Sequence, residues 1–162
     1  MDDDVALLEE VRSQAPERTL SRFTRADALA LGLRALSLAE QDGLPVAIRV
    51  TRGEQVVFHA AREGATAEHD GWVRRKARSV RTHEVSSLEL VLRQRVTGRA
   101  LDWLDPREFA VAGGAVPIVV GDAVVGVISV SGLVGSIRDD HDLAMAALRG
   151  LDIRASTSGG GA

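Results

Sequence analysis

Residues 110–148 read AVAGGAVPIVVGDAVVGVISVSGLVGSIRDDHDLAMAAL. Two valine-rich runs flank Gly121-Asp122, and Ser131-Gly132-Leu133 then leads into Asp139-Asp140-His141 and an alanine-rich segment. The runs 116–120 and 123–130 are apolar at successive positions, which is how strands covered on both faces read, and the short glycine link folds them into a hairpin of central strands. Asp139 is suited to cap the helix that follows, whose inner face is Leu143, Ala147, Leu148 and Leu151. A buried hairpin, a glycine corner and a helix start carrying carboxylates and an imidazole together describe an α/β domain with one polar rim.

Upstream, the same reasoning gives a second hairpin. Residues 46–51 and 55–60 are β-rich and are joined through Arg52-Gly53-Glu54, with glycine supplying positive φ. Between the hairpins, Val73, Ala77 and Val80 fall on one side of a helix that begins near Thr66, with Arg74, Arg78 and Arg81 on the other. That helix breaks near His83, and Ser86-Ser87-Leu88-Glu89 matches a capping box that starts a further helix toward Gly98. Before the first hairpin, a helix runs from a Thr24 cap to Gln41 and stops at Gly43 and Pro45. It carries two apolar stripes, Leu29/Leu33/Leu36 and Ala28/Leu31/Ala35/Leu38, so it predicts contact with the sheet and with a second helix or subunit. A short helix over 3–14 ends at Pro16. The order helix, helix, hairpin, helix, helix, hairpin, helix predicts an α+β fold, an antiparallel β-sheet of about five strands flanked by α-helices, because tight hairpins join antiparallel strands. The expected organisation is an N-terminal helical extension over 1–20, a single domain over 21–154 and a disordered tail over 155–162, where Ser156-Thr157-Ser158 and three glycines have nothing to bury.

The chain has 162 residues and a net charge of −3. It has no cysteine, which removes disulfides, thiolate metal sites and cysteine nucleophiles from consideration. No apolar run is long enough for a membrane span, and Met1-Asp2-Asp3-Asp4 is acidic where a secretory signal is basic, so the expectation is a cytoplasmic protein without membrane partners. Nucleic acid is not expected as a partner: the chain is acidic overall, and its one dense basic run, Arg74-Arg75-Lys76 with Arg78 and Arg81, lacks an aromatic stacking platform.

The chemistry-bearing residues each have two readings. The cluster Asp139, Asp140, His141 and Asp142 suits a helix N-terminus, where carboxylates cap and meet the dipole; alternatively, His141 offers a lone pair to a metal, haem iron or polar ligand. Glu68, His69 and Asp70 are ordinary surface polarity unless the fold brings them to His141. The basic face is a solvated helix surface or an anion-binding one. Trp72 and Trp103 read as core or interface anchors before ligand-stacking groups. Gly113-Gly114 is no dinucleotide fingerprint but allows a turn or close backbone approach, and Ser131 lacks the setting of a nucleophile.

The residues Asp70-Gly71-Trp72-Val73-Arg74-Arg75-Lys76, Ser86-Ser87, Gly113-Gly114-Ala115-Val116-Pro117-Ile118, and Val130-Ser131-Gly132-Leu133 with Asp140-His141 downstream resemble the haem-degrading-domain family, GlcG-like and HbpS-like, in its small stand-alone branch. The resemblance spans about residues 31–151. It implies a profilin-like or roadblock-like fold, homo-oligomeric assembly, and a haem, iron or small-molecule site. Relatives often place a histidine before the paired glycines; Ala112 stands there in this chain, leaving His69 and His141 as the candidate metal ligands. The resulting expectation is a cytoplasmic homo-oligomer, a dimer or higher, that binds or senses a small ligand, haem or iron related, near Asp70, Arg75, Lys76, Gly113, Gly114, Ser131 and His141. The alternatives are a haem- or redox-modifying enzyme and an oligomeric scaffold recruiting protein partners.

Overall fold

The computed structural model describes residues 2–154. The expected disordered tail over 155–162 lies outside the described residues. Helix α1 (Asp2–Ser13) leads through a 3-10 turn to strand β1 (Thr19–Leu20), then α2 (Arg25–Gln41), β2 (Ala47–Arg52), β3 (Gln55–Ala61), α3 (Ala67–His83), α4 (Ser87–Thr97), β4 (Ala115–Val120), β5 (Ala123–Ser131) and α5 (Asp139–Arg149). One five-stranded sheet has the order β1-β4-β5-β2-β3. The two hairpins join through β2 and β5, where Ile48 faces Val130 and Val50 faces Ile128, and every pairing is antiparallel except β1 with β4. The fold is α+β, as the sequence predicts.

Strand periodicity divides the core. Ile48, Val50, Val116, Ile118, Ile128 and Val130 point to one face, where they are buried with Ala28, Leu31 and Ala35 of α2 and Ala144, Met145 and Leu148 of α5. The opposite face buries Ala115 and Val127 against Ala77 and Val80 of α3. A smaller cluster, Leu8 and Val11 with Leu88 and Leu92, fastens α1 to α4. Of the two stripes on α2, the alanine-rich one is the buried one; Leu29 and Leu33 stand 46% and 52% exposed. Gly32, between them, admits the Phe58 ring of β3, which would lie 2.2 Å from a Cβ at that position.

Three details differ from expectation. Strand β1 is too short to show a period in sequence, and it supplies the one parallel pairing, Thr19 with Val119 and Leu20 with Val120. Asp139 does not cap α5 directly; Ser136 does the turning, its amide donating to Asp139 Oδ2 at 2.8 Å while its hydroxyl accepts from Arg138 N at 3.2 Å. Ser86 caps α4 by accepting from Glu89 N at 3.2 Å. The reciprocal half of that box is missing, because the Glu89 carboxylate is drawn instead to Arg12 at 3.0 Å and Arg93 at 2.7 Å.

Candidate functional site

Helix α3 presents Val73, Ala77 and Val80 to the sheet, and Lys76 borders that face, so its side chain is buried although it carries a charge. Burying an ammonium is tolerable only when its donors are met. Lys76 Nζ donates to Gly113 O at 2.9 Å, Val130 O at 2.8 Å and Asp140 Oδ2 at 3.3 Å, which accounts for all three of its N–H groups. Asp140, in the first turn of α5, accepts from Leu133 N at 3.0 Å with its other oxygen. Burial pulls the Lys76 ammonium below and pushes the Asp140 carboxyl above its ordinary range, and in each case the partner's opposite charge resists the shift. The three acceptors around Lys76, one of them the facing carboxylate, oppose what burial costs either charge.

The paired glycines make this arrangement possible. Gly114 has φ +130°, and a Cβ there would lie 2.3 Å from Val130 O and 2.9 Å from Lys76 Nζ. A Cβ on Gly113 would lie 2.3 Å from Ile137 O. The backbone therefore passes close beneath the loop joining β5 to α5, and only glycine permits it.

Above the Lys76–Asp140 pair opens a cleft of about 510 Å³. Trp72 of α3, Val91 of α4, Val111, and Leu133, Val134 and Ile137 of the β5–α5 loop form its apolar walls. Its polar groups are Glu68, His69, Lys76, Arg95, Ser131, Ser136 and Asp140. An apolar enclosure with a few placed polar groups is the usual form of a small-molecule site.

Of the residues expected at a ligand site, Lys76, Gly113, Ser131 and His69 line this cleft, and Gly114 lies just beneath Lys76. Asp70 and Arg75 are outside its walls. Asp70 Oδ1 meets His59 Nε2 at 2.9 Å, while Arg75 donates to Gly71 O and Pro106 O and stacks over Trp72 at 4.5 Å from the ring centroid. His141 is 1% exposed and turned the other way, its Nε2 2.7 Å from Gln14 Oε1. Burial holds His141 down to about 4, with the Asp142 carboxylate opposing and Arg138 reinforcing. Sequence reasoning did not select Asp140, Arg95, Leu133 or Ile137, and it read Trp72 first as an anchor. The signal available was helical spacing: Trp72 and Lys76, and Val91 and Arg95, are pairs at i, i+4, each presenting one helix face.

The imidazoles do not fit a haem iron as they stand. The Thr66 amide donates to His69 Nδ1 at 2.9 Å, which leaves the ring proton on Nε2, so the nitrogen free to reach the cleft is a donor rather than a ligand. His141 spends Nε2 on Gln14, and its other nitrogen, buried and unpartnered among the described residues, is not among the groups lining the cleft. Among the described residues no three of His, Asp and Glu gather to hold a metal ion. The arrangement suits binding of an amphipathic molecule through stacking, apolar contact and hydrogen bonds.

No helix among the described residues is long and apolar enough to cross a membrane. The chain is 41% identical over 143 residues to a UPF0303 protein of Streptomyces avermitilis, covering 86% of both chains. It is 36% identical over 151 residues to a UPF0303 protein of Brucella canis, covering 91% of this chain and 88% of that one. The solved Ybr137w protein superposes with a TM-score of 0.77 at 26% identity, over 88% of this chain and 85% of the other. HbpS superposes at 0.64 with 23% identity, over 78% and 87%. PduOC in its heme complex superposes at 0.69 with 20% identity, over 81% and 96%. At those identities the last two show a shared fold. The family model described as haem degrading protein HbpS-like matches residues 23–149, and the chain belongs to that family.

Proposed function

We propose that this protein is a non-catalytic binding or sensing domain, working as a cytoplasmic homo-oligomer, that holds a small amphipathic ligand of the haem type in the cleft between α3, α4 and the β5–α5 loop. The observation that carries this reading is the cleft itself. A Trp72 wall and aliphatic sides face a flat apolar body, while Ser131 Oγ and His69 Nε2 offer donors to an oxygen-bearing end. Lys76 and Asp140 hold the floor in one shape rather than reaching for the ligand, since their polar atoms are already engaged. Family membership and the heme complex of a protein with the same fold support a porphyrin as the first ligand to test. Iron ligation by His69 or His141 is not part of this reading. The exposed Leu29 and Leu33 on α2 support assembly, as the surface where copies meet.

Haem and metal-free protoporphyrin, titrated against Trp72 fluorescence in a Trp103→Phe background, test it. Both should quench to a similar extent, the Soret band of bound haem should be the same in His141→Ala, and Ala112→Phe, which adds a ring to a residue lining the cleft, should abolish quenching. Quenching untouched by Ala112→Phe would remove the cleft from the reading. Sedimentation should show wild type larger than one chain and Leu33→Glu smaller than wild type; equal sizes would remove α2 as the contact.

A further inference from the structure

Two cations line the cleft, and they differ in what they have left to give. Lys76 has no free donor, as described above. Arg95, in the last turn of α4, is 47% exposed in its side chain, and among the described residues its guanidinium makes one contact, Nη1 to Asp4 Oδ1 of α1 at 3.4 Å. A guanidinium has five N–H donors in a planar fork, so most of the capacity of this cleft-lining residue is unspent on described protein groups. Asp4 is itself 30% exposed, and an ion pair this long and this wet is among the weakest kind.

We infer that Arg95 is the anion-selecting group of the cleft, and that Asp4 of α1 occupies it as an internal competitor which an acidic ligand displaces. This rests on the reading of the cleft as a ligand site and assigns the class of ligand: an apolar body carrying a carboxylate or sulfonate at its Arg95 end. The charges within the cleft leave one place for that group. Lys76 and Asp140 are paired with each other and Glu68 repels an anion, so the cation with donors to spare is Arg95. Displacement does not require α1 to detach. Leu8 and Val11 hold the helix to Leu88 and Leu92, and Arg12 pairs with Glu89, so the exchange needs only the Asp4 side chain of the first turn to rotate into solvent.

A matched pair of probes tests this: 8-anilino-1-naphthalenesulfonate and the neutral N-phenyl-1-naphthylamine, which share an apolar body and differ by the sulfonate. Wild type should prefer the sulfonate, and the preference should shrink as salt rises. Arg95→Gln should weaken the sulfonate about fivefold more than the neutral probe, and Asp4→Asn should tighten the sulfonate alone, by up to about fivefold, as release of a partly exposed ion pair allows. Equal effects on both probes, or no change in either variant, would overturn the assignment of Arg95 while leaving the cleft as a ligand site. If Ala112→Phe leaves both probes bound as in wild type, they bind elsewhere, and the cleft reading falls together with this inference.

Discussion

Asp140 and His141 are consecutive residues in the first turn of α5, both buried, and they do opposite things. Asp140 faces the sheet and closes the floor of an open cleft with Lys76, Gly113 and Val130. His141, about 100° round the same helix, faces Gln14 at the end of α1, in an enclosed spot where its second nitrogen has no partner among the described residues. One pair is a charged and fully hydrogen-bonded support for a site; the other is a neutral tie between the two ends of the chain's helical layer. A stretch that reads in sequence as one polar rim is two separate devices set back to back.

Breaking the first device should cost most. Lys76→Met leaves the Asp140 carboxylate and two carbonyls without their donor, and denaturant unfolding should show a loss of about 3–5 kcal/mol, the usual cost of removing one partner of a buried ion pair. Adding Asp140→Leu should recover part of that loss, because the orphaned charge goes with it; a double variant no better than Lys76→Met would show that the two residues are not energetically coupled.

The second device should respond to pH instead. The folded-state pKa of His141 lies near 4 against an ordinary value of 6.5, so between those values the unfolded chain binds the extra proton. Stability from this group is therefore fully present above about pH 6.5 and is lost as pH falls toward 4, to a total of about 3 kcal/mol for the whole shift. Urea unfolding at pH 7.5 and 4.5 should show a drop in wild type that is smaller by most of that margin in His141→Gln, while porphyrin or probe binding at pH 7.5 is the same in both. An unchanged pH slope in the variant would mean the imidazole is not what makes the fold acid-sensitive.

Most of the fold was legible because it rests on periodicity and turn chemistry. The valine runs around Gly121, the Gly53 turn, the Thr24 cap and the α3 face of Val73, Ala77 and Val80 all announce themselves within a few residues. Strand β1 did not, since two residues carry no period and its partner Val119 is far away in sequence. The site was legible in part for the same reason. Lys76, Gly113 and Ser131 stand in the segments that looked unusual, and they converge; Asp70, Arg75 and His141 come from the same segments and point elsewhere, because neighbours on a helix face different directions. Arg95 gave only its i, i+4 spacing from Val91, which singles out nothing in a helix that also carries Arg93 until the cleft wall is seen.

The edge of the sheet carries a last consequence. Leu20 pairs in parallel with Val120 and also bridges to Arg154, and the Ser21 amide donates to Ile153 O at 2.7 Å. Residues near the start of the chain thus find their neighbours only when those near its finish have arrived. During synthesis the N-terminal portion must wait, with α2 and the first hairpin made but one margin unpaired, and that margin is the place where a stalled or truncated product would expose ladder groups to aggregation.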